Sequence, residues 1–194
     1  MTDADTGPPQ AVGPDSYSAG VYDLDGTLVR LRTDWRAAER AVRAVFEDAP
    51  VSVETDSKGV WELFDVAEAH GLEEAVERRV AEYEREGARN AVRLPAADEL
   101  DDLSLPVGVC SLNCEAACRI ALETHDLADH VDVVVGRDTV AERKPHPEPL
   151  LAAVRDLAAT PDAVLFVGDS ESDAVCADRA GTRFAYVDGG PREY

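Results

Sequence analysis

Short apolar runs alternate with helical patterns through the second half of the chain. Pro106 to Cys110 is an apolar strand candidate, and the alanine-rich stretch from about Asn113 to Thr124 predicts a helix. Val131 to Val135 holds four valines around Asp132, the pattern of a strand buried on both faces. A helix fits Glu148 to Ala158 and a strand fits Ala163 to Val167. Glu171 to Ala180 reads as a helix stopped by Gly181, and Arg183 to Val187 as a last short strand. Strands that alternate with helices imply parallel pairing through right-handed crossovers, hence an α/β fold with a Rossmann-like parallel sheet flanked by helices.

The stretch from about Thr33 to Ala91 has a different period. Trp35, Ala38, Val42, Val45 and Phe46 follow helical spacing, as do Val60, Leu63, Phe64 and Ala67. Leu72, Val76, Val80 and Tyr83 continue it, with Glu and Arg between them. Three helices without a strand are predicted. They are either an α-helical insertion after the first strand or helices that cover the sheet; usual crossover lengths favour the insertion. The expected organisation is a flexible tail over 1–19, an α/β core over 20–32 and 92–194, and a helical insertion over 33–91.

The first strand candidate ends unusually, in Val21-Tyr-Asp-Leu-Asp-Gly-Thr-Leu-Val29. Residues i and i+2 of an extended segment point the same way, so Asp23 and Asp25 crowd two negative charges at one strand end. That is costly unless a cation or a reaction uses it. In open parallel sheets, ligands bind outside the carboxyl ends of the strands. Three further polar features follow such ends: Ser111 after Val107-Gly-Val-Cys110, Lys144 in the loop after the valine run, and Asp169 and Asp173 after Leu165-Phe-Val-Gly168.

Composition sets outer bounds. The chain has 194 residues, enough for one domain or a domain with a smaller insertion, and 45% hydrophobic residues provide for a packed core. No apolar run approaches a membrane span, and nothing near Met1 resembles a signal peptide, so a soluble cytoplasmic protein without a membrane partner is expected. A formal charge of -21 argues against a nucleic-acid partner, because phosphate backbones demand basic patches. Arg supplies 17 of the 19 basic residues, and the only lysines are Lys58 and Lys144. An acidic, lysine-poor surface resembles those of cytoplasmic proteins adapted to high internal salt, where self-repulsion is screened. The expected signature is a melting temperature that rises from low salt to molar KCl; equal melting in both would discard this reading. Cys110, Cys114 and Cys118 recur every fourth residue, near one face of a helix, but no zinc-type spacing exists, so these and Cys176 read as small core residues.

Charge balance ties the strand-end residues together. Asp23, Asp25, Asp169 and Asp173 cannot all stay ionised side by side without compensation. Hard oxygen donors select Mg2+, and Lys144 adds a positive charge. The Ser111 hydroxyl and nearby backbone amides can hold phosphoryl oxygens. Asp23 would then attack phosphorus, while Asp25 protonates the leaving oxygen and later deprotonates the hydrolytic water. Gly26 permits the turn that brings Asp25 round.

Those motifs, DLDGTLV at 23–29, the Ser of CSLN at 110–113, RKPHPEP at 143–149 and FVGDSESD at 166–173, resemble the haloacid dehalogenase (HAD) superfamily. The resemblance implies Asp23 as nucleophile, Asp25 as general acid/base, Ser111 as phosphate binder and Lys144 as the group that steadies both. It implies Mg2+ held by Asp23, the main-chain carbonyl of Asp25, and Asp169, with Asp173 in support. The insertion is similar to the small α-helical cap of phosphoglycolate-phosphatase-like members. Family members commonly carry Asn directly after the second-motif Ser or Thr; here Leu112 intervenes, so the candidate phosphate-binding residues are Ser111, Asn113 and Lys144. The expected function is a Mg2+-dependent phosphatase of a small phosphorylated metabolite, as monomer or homodimer. Alternatives are a β-phosphoglucomutase-like phosphotransferase and a non-enzymatic receiver-like signalling domain.

Overall fold

A computed structural model describes residues 17–187 and 190. The tail expected over 1–19 falls outside the described residues except at 17–19. There the Ser18 N–H donates to the Ala163 carbonyl at 2.8 Å, and the buried Ala19 opens the first strand. The elements run β1 (Ala19–Tyr22), β2 (Val29–Arg30), α1 (Trp35–Asp48), α2 (Val60–His70), α3 (Glu73–Arg89) and β3 (Val92–Arg93). They continue with β4 (Val107–Cys110), α4 (Glu115–Thr124), β5 (Val133–Val135), α5 (Glu148–Asp156), β6 (Val164–Gly168), α6 (Glu171–Ala180) and β7 (Arg183–Tyr186). A 3₁₀ segment, Pro95–Asp102, stands between β3 and β4 and was not expected from the pattern.

Five strands form one parallel sheet in the order β5-β4-β1-β6-β7. Side chains alternate across it, and both faces are covered. Tyr22 and Val109 pack with Cys118, Ala121 and Leu122 of α4 on one face. Val21, Cys110 and Phe166 pack with Leu150 and Val154 of α5 and with Cys176 and Ala177 of α6 on the other. The chain moves outward from β1 through β4 to β5, then returns to β6 on the opposite side of β1. The order reverses at β1, where such sheets open a crevice at the carboxyl ends.

The helices α1 to α3 have a core of their own, built from Val42, Phe46, Val60, Leu63, Phe64, Ala67, Val76 and Val80. α3 is two-sided: Val76 and Val80 face that core, whereas Ala81 and Ala88 join the cluster around α4. The apolar stripe read through Tyr83 passes instead through Glu84, which is fully buried. The chain leaves for these helices through β2 and returns through β3, and the two pair antiparallel, Val29 with Arg93 and Arg30 with Val92.

The cysteines do not share a helix face. Cys110 closes β4, Cys114 precedes α4 as its N-cap and only Cys118 lies within the helix. Spacing by four therefore spans a strand end, a turn and a helix. All four thiols are free and buried, and burial raises their pKa values, which keeps them protonated. Among the described residues, no helix is long and apolar enough to cross a membrane.

Candidate active site

The end of β1 places the first two carboxylates by a tight loop. The Asp23 N–H donates to the Val167 carbonyl at 2.8 Å and so extends the β1–β6 ladder by one bond. The chain then turns back: Thr27, Leu28 and Val29 all donate to the Leu24 carbonyl, and the Gly26 N–H donates to the Val29 carbonyl at 2.7 Å. Gly26 sits at φ 96°, a conformation a side chain would strain. The Asp25 carboxylate accepts the Leu31 N–H at 2.9 Å, facing the start of the helical segment.

Asp23, Asp169 and Asp173 converge at the ends of β1 and β6. One ligand oxygen from each lies within 4.8 Å of the others, and all three residues are buried. Asp173 is held twice. As the third residue of α6 it closes a capping box with Ser170, whose N–H and hydroxyl both donate to Oδ2, while the Ser170 hydroxyl accepts the Asp173 N–H. Its Oδ1 accepts from Lys144. Asp173 is thus both a helix first-turn carboxylate and a member of the cluster. Gly168 makes this approach possible, since a Cβ there would meet the Asp173 side chain at 2.7 Å.

Lys144 is the positive counterpart. Its Nζ donates to Asp23 Oδ1 at 2.8 Å, to Asp173 Oδ1 and to the Cys110 carbonyl at 3.0 Å. Burial alone would lower the lysine pKa, but Asp173 and Asp23 overcome it and hold the ammonium charged. The reverse holds at Asp23: burial raises its carboxyl to about 7, with Lys144 opposing and Asp173 and Asp169 adding. Burial also pushes the Asp25 carboxyl up, against the Leu31 N–H and Arg30 that hold it down.

Three buried carboxylates and one ammonium leave the cluster short of positive charge. The ligand oxygens lie within 4.8 Å of one another, close enough to share one divalent ion such as Mg2+. The donor set is entirely oxygen, as that ion requires. Asp25 contributes no carboxylate to the group.

Ser111 ends the β4–β5 ladder, its N–H donating to the Val135 carbonyl at 2.9 Å. The Ser111 hydroxyl donates to Asn113 Oδ1 at 3.1 Å and accepts the Asn113 N–H at 3.2 Å. Despite Leu112 between them, Ser111 and Asn113 form one buried unit. His146, between two prolines, is exposed and stands outside it.

Three charged residues that the sequence pattern does not mark, Arg137, Glu77 and Glu84, join the loop after Ser111 to α3. Arg137, just after β5, forms a forked pair with Glu77 and with Glu84 of α3, at 2.7–3.0 Å, and donates to the Leu112 carbonyl. Its guanidinium lies over the rings of Phe64 and Trp61 at 5.0 and 5.5 Å. The available signal was a fourfold row on α3, Val76, Val80, Glu84 and Ala88, with a carboxylate in an otherwise apolar line.

Known proteins resemble this chain along most of its length. The family described as haloacid dehalogenase-like hydrolase matches residues 21–187. A phosphoglycolate phosphatase of Cereibacter sphaeroides is 33% identical over 188 residues, which cover 89% of this chain and 85% of that protein. The crystal structure of a HAD-superfamily hydrolase, subfamily IA, from Geobacter sulfurreducens superposes with a TM-score of 0.62 at 25% identity, covering 92% of this chain and 90% of that one. CbbY of Rhodobacter sphaeroides, crystallised with phosphate, shares the fold at a TM-score of 0.63 and 20% identity, over 92% of this chain and 88% of its own. With the family match over nearly all of the described residues, relatives aligned over most of their length and the parallel sheet in agreement, the chain belongs to the haloacid dehalogenase-like hydrolases, among relatives that are phosphoglycolate phosphatases.

Proposed function

We propose that the protein is a Mg2+-dependent phosphatase of a small phosphorylated metabolite, of the phosphoglycolate or sugar phosphate type, and that it works through an aspartyl phosphate. The observation that carries this reading is the buried group of Asp23, Asp169 and Asp173 with Lys144 at the reversal point of the sheet. Asp23, Asp169 and the Asp25 carbonyl would hold the ion, with Asp173 fixing Lys144 beside it. Bound there, Mg2+ supplies charge neutralisation for the phosphoryl oxygens and keeps the Asp23 carboxylate ionised.

The Asp23 carboxylate attacks phosphorus, and the bond to the substrate oxygen breaks. Asp25, whose carboxyl is biased toward the protonated form, gives its proton to that departing oxygen. A water then attacks the aspartyl phosphate and gives a proton to Asp25, which releases inorganic phosphate and restores Asp23. Lys144 and the Ser111–Asn113 unit hold the phosphoryl oxygens. The three helices at 33–91 serve as a cap that bounds the substrate space, and the four unpaired thiols suit the reducing cytoplasm.

The test is a panel of phosphorylated metabolites together with p-nitrophenyl phosphate, assayed in Mg2+ and in EDTA at high KCl. Multiple turnover in Mg2+ and its loss in EDTA are expected. With β-glucose 1-phosphate, inorganic phosphate rather than a second sugar phosphate is the expected product. Absence of turnover for every phosphomonoester in Mg2+ would end the proposal.

A further inference from the structure

Glu84 lies on a helix rich in exposed charge, yet its side chain is fully buried and bound to the core. Oε1 accepts from Arg137 Nη1 at 2.7 Å and from Asn113 Nδ2 at 3.4 Å. Oε2 accepts from Arg137 Nη2 at 3.0 Å and from the Cys114 N–H at 3.0 Å. A buried carboxylate is costly unless its lone pairs are filled, and these four donors fill them.

The consequence reaches Ser111 through one amide. An amide side chain donates from nitrogen and accepts at oxygen. Because Glu84 can only accept, it draws Asn113 Nδ2 toward itself and leaves Oδ1 facing the Ser111 hydroxyl. The same loop is held from its other side: Arg137 donates through its guanidinium to the Leu112 carbonyl and through its N–H to the Asn113 carbonyl at 2.9 Å. Residues 111–114 are therefore set by a carboxylate that belongs to the helical segment.

We propose that Glu84 is a positioning residue of the phosphate cradle, which aims Ser111 by fixing the Asn113 amide. The inference rests on reading Ser111 as phosphate-binding. It assigns part of the affinity for phosphate to the seating of α3 on the core, far along the chain from the four sequence motifs.

The experiment measures competitive inhibition by inorganic phosphate, with p-nitrophenyl phosphate as substrate, in the full-length protein. The inhibition constant in Glu84→Gln is expected to rise about tenfold, the scale of one charge-assisted hydrogen bond. In an Asn113→Ala background the same substitution is expected to change it about twofold or less, because the amide that transmits the effect is gone. The Mg2+ concentration for half-maximal activity stays unchanged. Glu84→Asp keeps the charge beside Arg137 but loses reach, so it gives the same defect and covers the case in which Glu84→Gln does not fold. An unchanged inhibition constant, equal fold effects in the two backgrounds, or a parallel rise in the Mg2+ requirement overturns the inference. Ser111→Ala separates the two levels: if it leaves phosphate inhibition intact, the cradle reading itself is wrong and Glu84 falls with it. If Ser111→Ala weakens inhibition and Glu84→Gln does not, only the role of Glu84 is lost.

Discussion

Asp23→Asn is expected to reduce turnover of every substrate by at least about 10³-fold while leaving the fold intact. The substitution is isosteric. It preserves the backbone hydrogen bond to the Val167 carbonyl and the side-chain volume between β1 and β6. What it removes is the anionic oxygen nucleophile, since a neutral amide oxygen is too weak a nucleophile to form the acyl phosphate at useful rates. Activity is followed as inorganic phosphate release, and folding as far-UV circular dichroism with thermal melting. A folded Asp23→Asn variant that still turns over at a substantial rate would remove Asp23 as nucleophile and leave the carboxylate cluster as an ion site alone.

Lys144→Met is expected to strike stability and activity together. The methionine fills a similar volume but leaves Asp23 and Asp173 without the ammonium that each contacts. Breaking a buried pair by removing one partner costs about 3–5 kcal/mol. The cost depends on pH with a definite sign. Without Lys144 the Asp23 carboxyl rises beyond the value of about 7 it already has, so at low pH it is protonated and carries no penalty. As pH climbs from the ordinary carboxylate range through and past that value, the unfolded chain releases protons that the native state retains, and stability falls. The melting-temperature gap between parent and variant is thus smallest near pH 5 and widest near pH 8, as measured without added metal. Phosphate release is expected to drop by about 10²-fold or more, because the phosphoryl charge loses its fixed counterion. A gap that does not vary with pH would show that Lys144 acts through packing alone.

Much of the core could be read from the chain because its signals are local. β6 and α6 follow from an apolar run and from a helical pattern stopped by Gly181, and the observed helix is Glu171–Ala180 as expected. Asp23, Ser111, Lys144 and Asp169 could be grouped because each follows a strand, and parallel strands share one carboxyl edge. Where the information is not local, the sequence was silent. β2 and β3 have two residues each, too few to show a period of two, and Arg30 and Arg93 break any apolar trace. Glu84 and Arg137 are 53 positions apart, and a glutamate on a charged helix reads as solvent-facing until the fold puts a guanidinium against it. Leu112, which separates Ser111 from Asn113, looks disruptive on paper. The turn after β4 absorbs it, because the Ser111 hydroxyl spans the extra residue to the Asn113 N–H.

The two-rung ladder formed by Val29, Arg30, Val92 and Arg93 makes the helical lobe a side branch of the chain. Outgoing and returning backbones leave the sheet at neighbouring points, so lengthening, shortening or exchanging the lobe leaves the order of the five strands unchanged. Close ends are the circumstance in which inserted segments are tolerated. Under the proposed function, selection on the substrate can therefore act on the helices at 33–91 while Asp23, Ser111, Lys144 and Asp169 stay fixed at the ends of the strands. Glu84 and Arg137 form the rivet between them, and any replacement lobe must reproduce or dispense with that join.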